Sequence, residues 1–210
     1  MRTIVIASRK GGVGKSTICA HLAVEALHAG PVAIADTDPQ GSLADWWNAR
    51  EVGAPAFATL EHVQHIVRHL ASLESQGIQH VFIDTAPGTG DTVRLAIAAA
   101  DFVLVPCRPS PHDLRAVGQT LSLVEDAGKP FAFVINAAVS RSTIETDTLR
   151  ALAQHGRVAP VVLHHRIDFA TSMIDGRSVQ ELNPKSRSAH EVKELWIYVN
   201  TQMSKQARTS

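Results

Sequence analysis

Residues 10–17 read KGGVGKST, placed directly after the apolar run TIVIA at residues 3–7 and directly before a helix-like stretch at residues 16–28. A strand that feeds a turn of small residues into a helix lets consecutive backbone N–H groups converge on an anion at the helix N-terminus, where the helix dipole also favours negative charge. Gly11, Gly12, Val13 and Gly14 supply that turn. Lys15 is then placed to reach the β- and γ-phosphates of a nucleoside triphosphate, the Ser16 hydroxyl to ligate Mg2+, and Thr17 to support the turn.

Outward from this loop, apolar runs rich in β-branched residues at 3–7, 32–35, 81–83, 102–105, 131–135 and 161–163 read as buried strands. Between and after them lie helical stretches at 16–28, 60–73, 91–99, 113–127, 142–154 and 189–203. The alternation predicts right-handed crossovers and a doubly wound α/β fold, a mostly parallel sheet with helices on both faces and ligands beyond the carboxyl ends of the strands. No repeat, linker or composition shift divides the chain, so residues 1–210 read as one domain, with 204–210 as a frayed tail.

Two of these strands end in carboxylates. VAIADTDPQGS puts Asp36 and Asp38 after the second, and VFIDTAPG puts Asp84 after a later one. Residues two apart on a strand share a face, so Asp36 and Asp38 are both able to look toward bound phosphates. The competing reading is that an aspartate here caps the next helix or starts a turn, as Asp38-Pro39 readily does.

Composition narrows the setting. Twenty basic and twenty acidic residues give a net charge of zero, so any surface for a polyanion must be local. Cys19 and Cys107 match neither a disulfide framework nor a zinc pair, which fits a reducing cytoplasm. The first apolar run is too brief for the hydrophobic region of a leader, and no segment approaches the roughly 18 apolar residues of a membrane span. His62, His65 and His69 share a face of a candidate helix and read as a solvated surface rather than a metal site.

The general phosphate-loop pattern GxxxxGK[ST] calls for glycine at position 9, where this chain has Arg9. The lysine ahead of the glycines, Lys10, instead resembles the deviant Walker A box KGGxGK[ST] of the ParA/MinD ATPases. The likeness extends through DTDPQGS, Trp46 and Trp47, DTAPG and VPCRPSPHDLRAV, and looks closest to the small ParF-like members.

The resemblance implies a slow, partner-stimulated ATPase that uses ATP and Mg2+. Lys10 would cross the interface of an ATP-bound homodimer to the partner's phosphates, Lys15 would act within its own subunit, and Asp38 would activate water. Asp84 would stand near Mg2+ as the Walker B aspartate, with Asp36 supporting the metal shell and Gly88 in a switch loop. Asn136, in VIN at 134–136, resembles an adenine-side asparagine, and the NKxD signature of guanine binders is absent, favouring ATP over GTP.

Members of this type bind DNA without sequence preference as dimers, and the resemblance places Arg166, Lys185 and Arg187 at the DNA, with Arg177 nearby. A ParB-like or cargo-adaptor protein would stimulate hydrolysis, and the protein would be cytoplasmic and nucleoid-associated when ATP-bound. A membrane role is not expected, because Leu195, Trp196, Ile197 and Val199 read as core-packing residues before a polar tail. The alternative is a P-loop biosynthetic enzyme that phosphorylates or amidates a small molecule.

Overall fold

The computed structural model describes residues 1–60, 63–139 and 143–206. Seven strands, β1 (Arg2–Ile6), β2 (Val32–Asp36), β3 (Ala56–Phe57), β4 (His80–Asp84), β5 (Phe102–Cys107), β6 (Phe131–Ala138) and β7 (Val158–His164), form one sheet in the order β3-β2-β4-β1-β5-β6-β7. Every pairing among them is parallel, as the strand–helix alternation predicts. After β1 the chain builds outward through β2 and β3, returns to insert β4, and then adds β5, β6 and β7 on the other side. The sheet therefore changes direction of growth beside β1, the position where open α/β sheets place a ligand.

Alternation along each strand divides the core into two layers. Ile4, Ile6, Ile34, Phe82 and Leu104 face one side, against α1 (Lys15–Ala26), α2 (Ser42–Asn48) and α9 (Arg187–Gln206). Val5, Ala35, Ile83, Val103 and Phe133 face the other, against α3 (Ile66–Ser75), α4 (Asp91–Ala98), α5 (Pro111–Asp126) and α6 (Thr143–Ala153). Strands covered on both faces must be apolar at every position, which is why these runs carry no polar alternation. Helix α1 is apolar on nearly every side because it is enclosed by the sheet, α2 and α9.

Four elements escape the sequence reading. Strand β3 has two residues and no periodicity to detect. Helix α2, α7 (Ile167–Ile174) and α8 (Val179–Leu182) are at most eight residues long, too short to show a long apolar stripe, and α8 is set by a capping box of Ser178 and Glu181. Helix α5 starts at Pro111, two residues earlier than expected, because Ser110 caps it and a proline suits the first helical position.

The C-terminal helix also corrects an expectation: α9 runs through Gln206, so Ser204, Lys205 and Gln206 are helical rather than a frayed end, and residues 207–210 lie outside the described residues. Leu195, Trp196 and Val199 are buried in the core as expected, whereas Ile197 is 54% exposed. No helix among the described residues is long and apolar enough to cross a membrane. His62 lies outside the described residues, and no cluster of metal-ligating side chains occurs within them.

Candidate nucleotide site

The loop between β1 and α1 lies at the carboxyl edge of the sheet, at the base of an open cavity of about 630 Å3. Gly11, Gly12, Gly14, Lys15, Ser16 and Thr17 line one part of it, and Asp38, Gln40, Ser42 and Pro87 another. Asn136, Ala137, His164, His165, Arg166 and Phe169 extend it along the ends of β6 and β7. Arg9 replaces the expected glycine without disturbing the loop: its side chain is exposed and its backbone N–H is held by Thr120 Oγ1 of α5 at 2.9 Å.

Gly14 is fixed by two constraints. Its φ of +89° is left-handed, and a Cβ there would lie 2.3 Å from Asn136 Nδ2. That amide nitrogen donates to the Val13 carbonyl at 2.7 Å. Asn136 thus braces the phosphate loop from β6, two strands away from β1, a contact that the sequence does not foretell beside its expected place near the base.

Asp84, the last residue of β4, is fully buried, and neither carboxylate oxygen has a hydrogen-bond partner. Burial pushes its pKa up to about 7, offset in part by the nearby Ser16 hydroxyl, with Asp36 adding repulsion and Lys15 attraction. A buried, unpaired carboxylate beside a serine hydroxyl at the mouth of a phosphate loop is a donor set suited to Mg2+, which favours hard oxygen ligands. Ser16 and Asp84 would hold the ion. Lys15 is itself buried, its pKa lowered by desolvation and supported in its charged form by Asp84 and Asp38.

Asp36 behaves differently from the metal-shell role expected of it. One oxygen accepts from Asp38 N at 2.9 Å and the other from Leu43 N and Ala44 N, both at 3.0 Å. Both oxygens are thus engaged by backbone donors, and the carboxylate closes the N-terminus of α2, whose own Gly41 cap has no side chain to do so. Burial raises its pKa against the pull of these N–H groups. Asp38 remains at the cavity wall, with one oxygen accepting from Gln40 N at 3.0 Å in a local turn.

Lys10 does not line its own subunit's cavity. Its ammonium pairs with Asp113 Oδ2 of α5 at 2.6 Å, on a carboxylate that is 4% exposed and also bonded by the Ser110 hydroxyl. Arg166, expected at DNA, is instead drawn to Glu191 of α9 at 2.6 Å and borders the cavity. Glu191 also accepts from His164 N at 3.1 Å and meets His164 Nδ1 at 2.8 Å. Arg187 is exposed at the start of α9 and Lys185 is exposed in the turn that precedes it.

The pKa of Asp84 carries a pH prediction. An acid raised in the folded state contributes stability that is lost as pH rises from its ordinary value of 3.8 through about 7. A ligand that requires the carboxylate must then expel its proton. Affinity for preformed Mg-ADP is expected to rise roughly tenfold between about pH 6 and pH 8, after allowance for titration of the nucleotide itself. Calorimetry in buffers of different ionisation enthalpy reads the proton release, which Asp84→Asn should abolish. Equal affinity across that range with no buffer dependence contradicts the assignment.

A parallel sheet that reverses beside a glycine-rich strand-to-helix loop, with a lysine and serine opening the helix and a buried aspartate on the adjacent strand, defines a P-loop nucleotide-binding protein. Residues 4–179 match the model of the CobQ/CobB/MinD/ParA nucleotide binding domain. The chain belongs to this ParA/MinD family of deviant Walker A ATPases.

Two relatives resemble it over most of their length. "Maintenance of carboxysome distribution protein A" of Halothiobacillus neapolitanus is 29% identical over 196 residues, covering 89% of this chain and 90% of that protein. "Protein ParA" of Rhizobium radiobacter is 32% identical over 157 residues, covering 74% of this chain and 68% of that protein. The fold is similar to that of apo McdA from Cyanothece, with a TM-score of 0.76 at 18% identity over 96% of this chain and 98% of that one. It is equally similar to MinD of Pyrococcus horikoshii, solved with Mg-ADP, with a TM-score of 0.76 at 18% identity over 93% and 94% of the two chains.

Proposed function

We propose that this chain is a positioning ATPase that uses ATP to switch subunit association and, through it, attachment to DNA. The observation that carries the reading is the position of Lys10: a phosphate-loop lysine whose ammonium is turned away from its own cavity is available to a second subunit. Lys15 and the N-terminus of α1 bind the phosphates, Ser16 and Asp84 hold Mg2+, and Asp38 orients the attacking water. When bound, the metal ion neutralises charge between the phosphates. Two such sites, each completed by the other chain's Lys10, make subunit affinity depend on the nucleotide, and hydrolysis releases the dimer.

The name of the Halothiobacillus neapolitanus relative, which refers to carboxysome distribution, supports cargo positioning. Segregation of a plasmid or chromosome, or spacing of another large cargo on the nucleoid, accordingly fits this chain, with slow hydrolysis accelerated by a ParB-like or adaptor partner. Lys185 and Arg187 are the DNA contacts in this reading, since Arg166 is committed to Glu191 and the cavity. A dimer doubles the exposed basic pair and needs only backbone phosphates as its target.

A salt titration tests the DNA arm. Binding to unrelated duplexes should require ATP, weaken along a straight log-log line, and fall by about tenfold or more in Arg187→Glu. Equal binding without nucleotide, or indifference to Arg187, contradicts it.

A further inference from the structure

We infer that Arg108 is a second cationic contact to the triphosphate, made within its own subunit, which lets the site distinguish a triphosphate from a diphosphate. The inference rests on the ATPase reading and adds a residue to it. Strand β5 lies directly beside β1, with Ile6 paired to Leu104 and Ala7 N donating to the Leu104 carbonyl at 3.1 Å. The two strands therefore deliver their carboxyl ends to the same place, and Arg108 is the first residue beyond β5. Its side chain borders the nucleotide cavity, and Nη1 lies 3.5 Å from the Gly12 carbonyl at the exposed tip of the phosphate loop.

Of the lysines and arginines that line the cavity, Lys15 has Asp84 and Asp38 near it and Arg166 pairs with Glu191, whereas Arg108 has no counter-charge among the described residues. Arg50 pairs with Glu181, Arg166 with Glu191, Arg177 with Asp175 and Lys10 with Asp113. Among the described residues no carboxylate pairs with Arg108, whose contact is a single long one to a carbonyl. A guanidinium presents five donors in a planar fork that matches phosphate oxygens two at a time, so most of its capacity faces the cavity unused.

The charge balance of the cavity gives that capacity a purpose. Lys15 already sits between Asp84 and Asp38, and Lys10 is held outside by Asp113. Without Arg108 the subunit would meet a polyanion with Lys15, whose charge is partly matched by carboxylates, and with Arg166, which is paired to Glu191. The start of α1 at Gly14, Lys15 and Ser16 takes the inner phosphates through backbone N–H groups. Gly11 and Gly12 form the outer lip, and the guanidinium stands there, where a further phosphate extends. A charge-assisted fork at that position strengthens the hold on the third phosphate and adds little to a diphosphate.

The test separates this contact from one made across a dimer. Mg2+-dependent affinities for ADP and for the non-hydrolysable AMPPNP are compared in a Lys10→Ala/Asp113→Asn parent, which lacks the lysine assigned to the partner's phosphates, with and without Arg108→Ala. Arg108 is exposed, so unchanged thermal melting is expected of the substitution. AMPPNP affinity should fall about tenfold or more while ADP affinity changes less than about threefold, and Arg108→Lys should recover only part of the loss. Equal losses for both nucleotides, or no loss for either, overturn the assignment. If the parent protein binds neither nucleotide while Arg108 is intact, the ATPase reading itself falls, and this inference with it.

Discussion

Asp84→Asn is expected to weaken Mg2+-dependent nucleotide binding by about 100-fold or more and, in the same protein, to raise the thermal stability of the nucleotide-free state. The two effects share one cause. The side chain is fully buried and its pKa is raised to about 7, so above neutral pH the fold carries an ionised group that Lys15 and the Ser16 hydroxyl compensate only in part. Asparagine keeps the shape and removes the charge. Near pH 8 the gain should reach about 2–4 kcal/mol before the cost of an unsatisfied amide, which for a domain of this size is a rise in melting temperature of several degrees.

The function side of the same substitution is the larger effect. Mg2+ binds anionic oxygen, and the neighbouring Ser16 hydroxyl is a weak ligand by itself. Loss of the carboxylate should weaken Mg-ATP binding by about 100-fold or more, while metal-free nucleotide retains its contacts with the loop and Lys15. Differential scanning fluorimetry with EDTA or Mg2+, with and without nucleotide, reads both effects. A variant that is less stable at pH 8 and still responds to Mg2+ rules out the metal role.

Gly14→Ala is expected to be the most damaging single-methyl change in the loop. Its φ of +89° costs an alanine roughly 1–2 kcal/mol, and the new Cβ would stand 2.3 Å from Asn136 Nδ2. The amide has to leave, which breaks its 2.7 Å bond to the Val13 carbonyl and releases the brace on the phosphate loop. Nucleotide affinity should fall about 30-fold or more, since loop N–H groups must point at the phosphates in advance to bind them well. The double variant Gly14→Ala/Asn136→Ala should lose less than the sum of the two single changes, because both act on one contact. Strict additivity in a titration series would remove Asn136 from the loop's support.

The fold was legible because β1, β2, β4, β5 and β6 are largely buried on both faces and read as apolar runs, while the edge strand β7 still carries the short run at 161–163. The loop was legible because Gly11, Gly12, Gly14, Lys15 and Ser16 are contiguous. What escaped depends on contacts between distant segments. Asp36 and Asp38 share a strand end, and nothing local says that the first turns its oxygens onto Leu43 and Ala44 while the second faces the cavity. Arg166 reads as a surface cation until α9 brings Glu191 to within 2.6 Å. Asp113 and Arg108 lie in a stretch that resembles a family motif, yet their partners, Lys10 and Gly12, are about a hundred residues earlier. The spacing that betrays a helix face or a strand is local, and these pairings are not.

The ion pair between Lys10 and Asp113 also shapes how the central claim must be tested. Removing Lys10 leaves Asp113 buried with one oxygen unpaired and the other on the Ser110 hydroxyl, a cost to the fold that is separate from any loss at a dimer interface. Adding Asp113→Asn relieves it. Because Lys10 is more than a third exposed, its own contribution to stability is small.

The decisive measurement is the mass in solution, by size-exclusion chromatography with light scattering, of Asp38→Ala with Mg2+ and either ATP or ADP. With hydrolysis slowed, the protein should be a dimer in ATP and a monomer in ADP. Introducing Lys10→Ala together with Asp113→Asn should return it to a monomer in ATP without loss of nucleotide binding. A monomer under all conditions, or an ATP dimer that survives the loss of Lys10, contradicts a nucleotide-held sandwich completed by the partner's lysine.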